Sequence, residues 1–188
     1  MTLFKEKYRI ETTRLRGWDY AAAGWYFVTI CTHNRLPFFG RVEQGEMHLS
    51  SIGEIACDYW QQIPQHTAGN VELDAFVIMP NHVHGIVVIV ETLQCNVSTP
   101  MATATRAPNH PMAQISPTAG SLGAIIRSYK SAVSRWCAKN GPTEFAWQTR
   151  FYDHIIRSER DLQRIRRYIT DNPAKWESDR NNPENLWM

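Results

Sequence analysis

Residues 71–90 read Val71-Glu-Leu-Asp-Ala-Phe-Val-Ile-Met-Pro-Asn-His-Val-His-Gly-Ile-Val-Val-Ile-Val90, and this stretch decides the fold. Val71 to Met79 is rich in apolar and β-branched residues, Pro80-Asn81 is a turn, and His82 to Val90 is a second strand-like run. Two strands joined by so short a turn form an antiparallel hairpin. Beyond its start the second strand is apolar on both faces, so it belongs at the centre of a sheet.

Working outward, Gly24-Trp-Tyr-Phe-Val-Thr-Ile-Cys-Thr32 reads as a further strand, and Pro37 to Ser50 as a short hairpin around Glu43-Gln-Gly45. Ser50 or Ser51 caps a helix that runs to about Gln62, with Ile52, Ile55, Ala56 and Tyr59 on one face and Pro64 ending it. Ser121 caps a helix over about 122–139, closed by Asn140-Gly141-Pro142. Tyr152 to Arg157 is a strand. Ser158 then caps a last helix striped by Leu162, Ile165 and Ile169, which stops before Pro173. The order strand–helix–strand–strand–helix–strand is the split βαβ plan of ferredoxin-like folds. The expectation is an α+β sandwich, an antiparallel central sheet with helices on one face. Residues 94–120 hold four of the ten prolines, no aromatic residue and no acid, and read as a flexible insertion within one domain over 1–176. Residues 177–188 read as a polar tail.

The 188 residues carry 20 Lys plus Arg and 18 Asp plus Glu, a formal charge of +2. The distribution is uneven: net +3 over 1–16, −5 over 17–120, +6 over 121–176 and −2 over 177–188. A uniform basic coat is excluded, a local one is not. Cys31, Cys57, Cys95 and Cys137 include no CxxC pair, so neither a disulfide scaffold nor a zinc ribbon is expected. The N-terminus has no apolar signal core and no apolar run is long enough for a bilayer, so the expectation is a cytoplasmic protein without a membrane partner.

Alternate residues of a strand share a face, so His82 and His84 project together. Two imidazoles on one face of a rigid strand can hold a divalent metal; two hydrogen-bonded histidines at a strand end fit the spacing equally well. On the last helix, Tyr168 and Asn172 are four apart and therefore neighbours, with Arg164 one turn earlier. A phenol beside a metal-ligating amide oxygen is one reading; a Tyr at a core edge and an Asn stopping a helix is the other. Tyr129, in Arg127-Ser-Tyr-Lys-Ser131, is a rival nucleophile, but its i+4 neighbour Val133 cannot bind metal. Tyr152 is a weaker candidate, in a strand and without a nearby ligand.

Three ordered blocks carry a resemblance: WDYAAAGWYFVTICTHNRLPFFG, MPNHVHG and WQTRFYDHIIRSERDLQRIRRYITDNPAKW. Together they resemble the single-tyrosine transposase superfamily with a His-hydrophobic-His motif, and within it the REP-associated tyrosine transposases. The match covers about 8–176, broken by 94–120. The resemblance implies a ferredoxin-like catalytic domain, a divalent metal (Mg2+ or Mn2+), and single-stranded or hairpin DNA as partner. It implies His82, His84 and Asn172 as metal ligands and Tyr168 as the catalytic tyrosine. It further implies a 5′-phosphotyrosine intermediate with a free 3′-OH, and a monomer rather than a homodimer. A free phenol has a pKa of about 10, so the metal or a nearby Arg must favour the phenolate. No Gly-rich nucleotide loop is present.

With DNA as partner, Arg14, Arg16, Arg127, Lys130, Arg150, Arg164 and Arg167 are candidates to track phosphates, and Trp147 to stack on unpaired bases. Two other functions remain open: a metal-dependent hydrolase of another substrate, and a single-strand binder without catalysis.

Overall fold

The computed structural model describes residues 14–67, 69–91, 118–141, 144–179 and 181–182. Most of the expected insertion, 94–117, lies outside the described residues. The elements are β1 Gly24–Cys31, β2 Gly40–Glu43, β3 Glu46–Leu49, α1 Ser51–Gln61, β4 Val71–Met79, β5 His82–Ile89, α2 Leu122–Asn140, β6 Tyr152–Ile156 and α3 Glu159–Asp171. A 3-10 turn, Pro173–Ser178, follows α3.

Local chemistry sets these boundaries. Ser50, rather than Ser51, caps α1 by accepting from the Gly53 N–H. Ser121 and Ser158 cap α2 and α3 by accepting from the N–H groups of Ala124 and Asp161. The β2–β3 hairpin turns through Gln44 and Gly45, both at positive φ (52° and 79°), the geometry of a tight two-residue turn.

The sheet order is β4-β5-β1-β6, with β5 antiparallel to β4 and β1, and β1 antiparallel to β6. This is the split βαβ arrangement of the expected α+β ferredoxin-like class. Every residue of β5 is buried, as its two-sided apolar pattern predicts. Tyr26, Val28 and Ile30 of β1 point to one side with Val83, Val87 and Ile89. There they meet Ile52, Ala56 and Trp60 of α1 and Ile125, Ile126, Tyr129 and Val133 of α2. Phe27 points the other way with Ile86, Val88 and Ile156, and packs with Leu162, Ile165 and Ile169 of α3. The expectation of helices on one face therefore holds for α1 and α2 and is corrected for α3. The physical reason is that both faces of β1 and β5 are apolar, so each needs cover. Gly85 is dictated by this packing: a Cβ there would collide with the Trp60 indole. No described helix is long and apolar enough to cross a membrane.

Candidate metal and nucleophile site

The α3 side of the sheet carries the site. His82 opens β5 directly after the Pro80-Asn81 turn, and both His82 and His84 are fully buried. Their rings lie side by side, centroids 4.3 Å apart, as strand alternation requires.

Each imidazole is held by a second residue. Asn81 Nδ2 donates to the carbonyls of Arg35 (2.9 Å) and Asn181 (2.8 Å). Both partners can only accept, so Asn81 Oδ1 is the atom that faces His82 Nδ1, at 2.8 Å. His82 therefore keeps its proton on Nδ1 and offers its lone pair from Nε2. His84 Nδ1 lies 2.9 Å from Thr29 Oγ1, on the neighbouring strand at the paired position. His84 Nε2 lies 3.1 Å from the Tyr168 hydroxyl.

Helix α3 brings the remaining groups. Its apolar stripe docks on Phe27 and Ile86, which leaves Tyr168 at the edge of the contact, 37% exposed, with its ring edge-on to Phe27 at 6.1 Å. Asn172, one turn later, is 2% exposed. Its Nδ2 donates to Asp179 Oδ2 at 3.0 Å, while its buried Oδ1 has no hydrogen-bond partner among the described residues. Asp179 also accepts from the Asn181 N–H. His82, His84 and Asp179 are buried, and each offers a ligand atom within 4.8 Å of the others. Two imidazole nitrogens and a carboxylate, with the Asn172 amide oxygen as a candidate fourth donor, are a mixed set that would suit Mn2+, and Mg2+ less well because of the imidazoles. The partnerless Asn172 Oδ1 is what such a site needs, since an uncompensated buried carbonyl is otherwise costly.

The site opens into a cleft of about 610 Å³ lined by Phe27, Tyr152, His154, Arg164, Tyr168, Asn172, Lys175 and Asp179, among others. Of the lining residues, His154 has its Nε2 2.7 Å from Asp161 Oδ2, and Arg164 donates to Asp161 Oδ1. His154, then Arg164, hold the Asp161 carboxyl below the usual carboxylate range, so it is ionised and ties β6 to the first turn of α3.

The structure thus brings together His82, His84, Tyr168 and Asn172. Tyr129 lies on the other side of the sheet. It is 2% exposed and donates to the Ala56 carbonyl at 3.0 Å, and burial pushes its phenol well above 10. The sequence pointed to neither Asp179 nor Asn81. Asp179 sits in the stretch read as a tail and returns to the site only through the 3-10 turn. Asn81 reads as a turn residue, although its place beside His82 was the available signal.

The candidate DNA-binding residues separate. Arg16, Arg127, Arg150, Arg164 and Arg167 are exposed. Of these, Arg164 lines the cleft, and Arg167 and Arg164 share the neighbouring groove on α3. Arg14 lies over the Tyr20 and Phe151 rings. Trp147 and Lys130 do other work. Trp147 packs against Phe39, Tyr129 and Phe145, its indole donating to the Lys130 carbonyl, because a bridge to Thr32 folds it inward. The Lys130 ammonium donates to the Gln148 carbonyl, and burial lowers its pKa.

A ferredoxin-like sheet that sets paired buried histidines against a tyrosine on the last helix is the layout implied by the resemblance to single-tyrosine transposases. The comparisons bear this out in the fold. A solved REP-associated tyrosine transposase bound to a REP hairpin superposes with a TM-score of 0.56 at 19% identity, over 87% of this chain and 73% of that one. No protein-family profile matches the chain. An uncharacterized protein of Haemophilus influenzae is 37% identical over 166 residues, 88% of this chain and 89% of that protein. The chain belongs to the same family as that protein, and its fold is that of the REP-associated tyrosine transposase.

Proposed function

We propose that the chain is a metal-dependent DNA transposase or endonuclease that cuts and rejoins single strands beside hairpin-forming, REP-like sequences. The observation that carries this reading is the Tyr168 hydroxyl, 3.1 Å from His84 Nε2, in a cleft shared with buried Asn172 and Asp179. The solved transposase with a similar fold is bound to a REP hairpin, which supports DNA as the partner here.

His82, His84, Asn172 and Asp179 would hold the cation, which when bound polarises a scissile phosphate and offsets charge on its oxygens. Asn81 and Thr29 fix which imidazole nitrogens face it. The Tyr168 oxygen gives up its proton and forms the new bond to phosphorus, the bond from phosphorus to the 3′ oxygen breaks, and that oxygen takes up a proton and leaves as a 3′-OH. The 5′-phosphotyrosine conserves the phosphodiester, so a second 3′-OH can attack it and release Tyr168. The Tyr168 hydroxyl stands 3.1 Å from His84 Nε2, so a cation held at that nitrogen would compete with the hydroxyl for it. Arg164 and Lys175 line the cleft as phosphate partners. We assign this activity to a monomer in the cytoplasm.

The test is a labelled single-stranded hairpin oligonucleotide incubated with the protein and Mn2+. A denaturation-resistant protein–DNA adduct that vanishes with chelator and in Tyr168→Phe is expected. No adduct from wild-type protein, or an adduct retained by Tyr168→Phe, overturns the proposal.

A further inference from the structure

We propose that Tyr152 is the stacking platform for the unpaired base next to the scissile phosphate. This rests on the reading of Tyr168 as nucleophile. Tyr152 begins β6, the edge strand beside β1, and is 47% exposed. Its exposed ring lines the cleft that also holds Tyr168, so it is accessible to anything that enters there.

Register places it with respect to the chemistry. Tyr152 pairs with Thr29, and Thr29 pairs with His84. Laddered residues project to the same face. Tyr152 therefore stands on the same sheet face as His84, two strands away, with Cα atoms about 10 Å apart at the usual strand spacing. It lines the same cleft as Tyr168. Among the described residues its hydroxyl has no hydrogen-bond partner and its ring stacks on no other ring, so nothing in the core requires a tyrosine here.

The surroundings select the ligand chemistry. Arg164 and Lys175 flank the cleft, each already tied to a carboxylate: Arg164 to Asp161 at 2.6 Å, Lys175 to Asp171 at 2.9 Å. Guanidinium and ammonium groups beside an unoccupied aromatic face match a nucleotide: phosphate on the cations, base on the ring. A flat π-face reads no base edge, so the contact positions the strand and tolerates sequence.

The experiment uses a hairpin oligonucleotide with 2-aminopurine at each nucleotide flanking the cleavage point, in the Tyr168→Phe protein so that the strand stays intact. Binding should quench fluorescence at one flanking position. The quench should persist with Tyr152→Phe added, which keeps the ring, and disappear with Tyr152→Ala added. In the protein with Tyr168 present, Tyr152→Ala should raise the KM for adduct formation about tenfold, whereas Tyr152→Phe, which keeps the ring, should not. No quench at any flanking position, or a quench indifferent to Tyr152→Ala, overturns the proposal. An unchanged KM does the same. An adduct that persists in Tyr168→Phe removes the nucleophile reading instead, and a Tyr152-dependent quench would then stand as a DNA contact without it.

Discussion

Replacing Asn81 by Ala should both loosen the fold and weaken the proposed metal site, and replacing it by Asp should separate the two effects. Asn81 is fully buried and makes three side-chain hydrogen bonds, to the carbonyls of Arg35 and Asn181 and to His82 Nδ1. A buried hydrogen bond contributes about 1 kcal/mol net, so truncation costs about 3 kcal/mol. For a chain of this size that lowers the melting temperature by about 6–12 °C. His82 also loses the acceptor that keeps its proton on Nδ1, and comparable outer partners of metal ligands change affinity by about 10- to 100-fold. Asn81→Asp keeps an acceptor for His82 but faces the two carbonyls with oxygen instead of N–H. It should lose stability and retain Mn2+ affinity. Thermal melts in chelator give the first quantity and calorimetric Mn2+ titration the second. A melting temperature for Asn81→Ala within a degree or two of wild type would refute the stability estimate, and equal Mn2+ affinity for Asn81→Ala and Asn81→Asp would refute the tautomer argument.

Tyr168→Phe should bind Mn2+ roughly 2- to 10-fold more tightly than wild type in the absence of DNA, because the hydroxyl no longer occupies His84 Nε2; calorimetry checks this. Tyr129→Phe should keep full adduct formation and lose about 1 kcal/mol of stability through its lost bond to Ala56, read by denaturant unfolding. Asp74 takes a bidentate pair of hydrogen bonds from Arg166, which holds its carboxyl below the usual range. A depressed carboxyl stabilises the fold above its unfolded pKa, about 3.9, and the contribution fades as pH falls below that. Asp74→Asn should therefore lower stability at neutral pH and flatten the pH dependence below about 4, measured by melts across pH.

The hairpin at residues 71–90, the serine caps and the α3 stripe were legible because each depends on neighbours in sequence. The paired histidines were legible for the same reason, as were Tyr168 and Asn172, whose four-residue spacing is a helix property. The face taken by α3 could be inferred only from the two-sided apolar pattern of β1 and β5. That pattern in β5 placed the strand centrally, but a plan with every helix on one face left its second face without cover. In α1 the buried aromatic is Trp60, whereas Tyr59 is half-buried, since Gly85 opens a slot that only the fold reveals. Asp179 follows no periodicity and lies nearly a hundred residues from His82, so only the 3-10 turn after α3 connects them. Trp147 and Lys130 sit in a polar, basic stretch that reads as surface. A single bridge to Thr32 and a bond to a backbone carbonyl place them otherwise.

The central claim is that one oxygen, on Tyr168, takes the phosphate. Digestion of the adduct formed with hairpin DNA and Mn2+, followed by mass spectrometry, identifies the residue that carries the nucleotide. The account predicts a single phosphonucleotide on Tyr168 in the segment Tyr168-Ile-Thr-Asp-Asn172. A nucleotide on Tyr129, Tyr152 or any other side chain would contradict it.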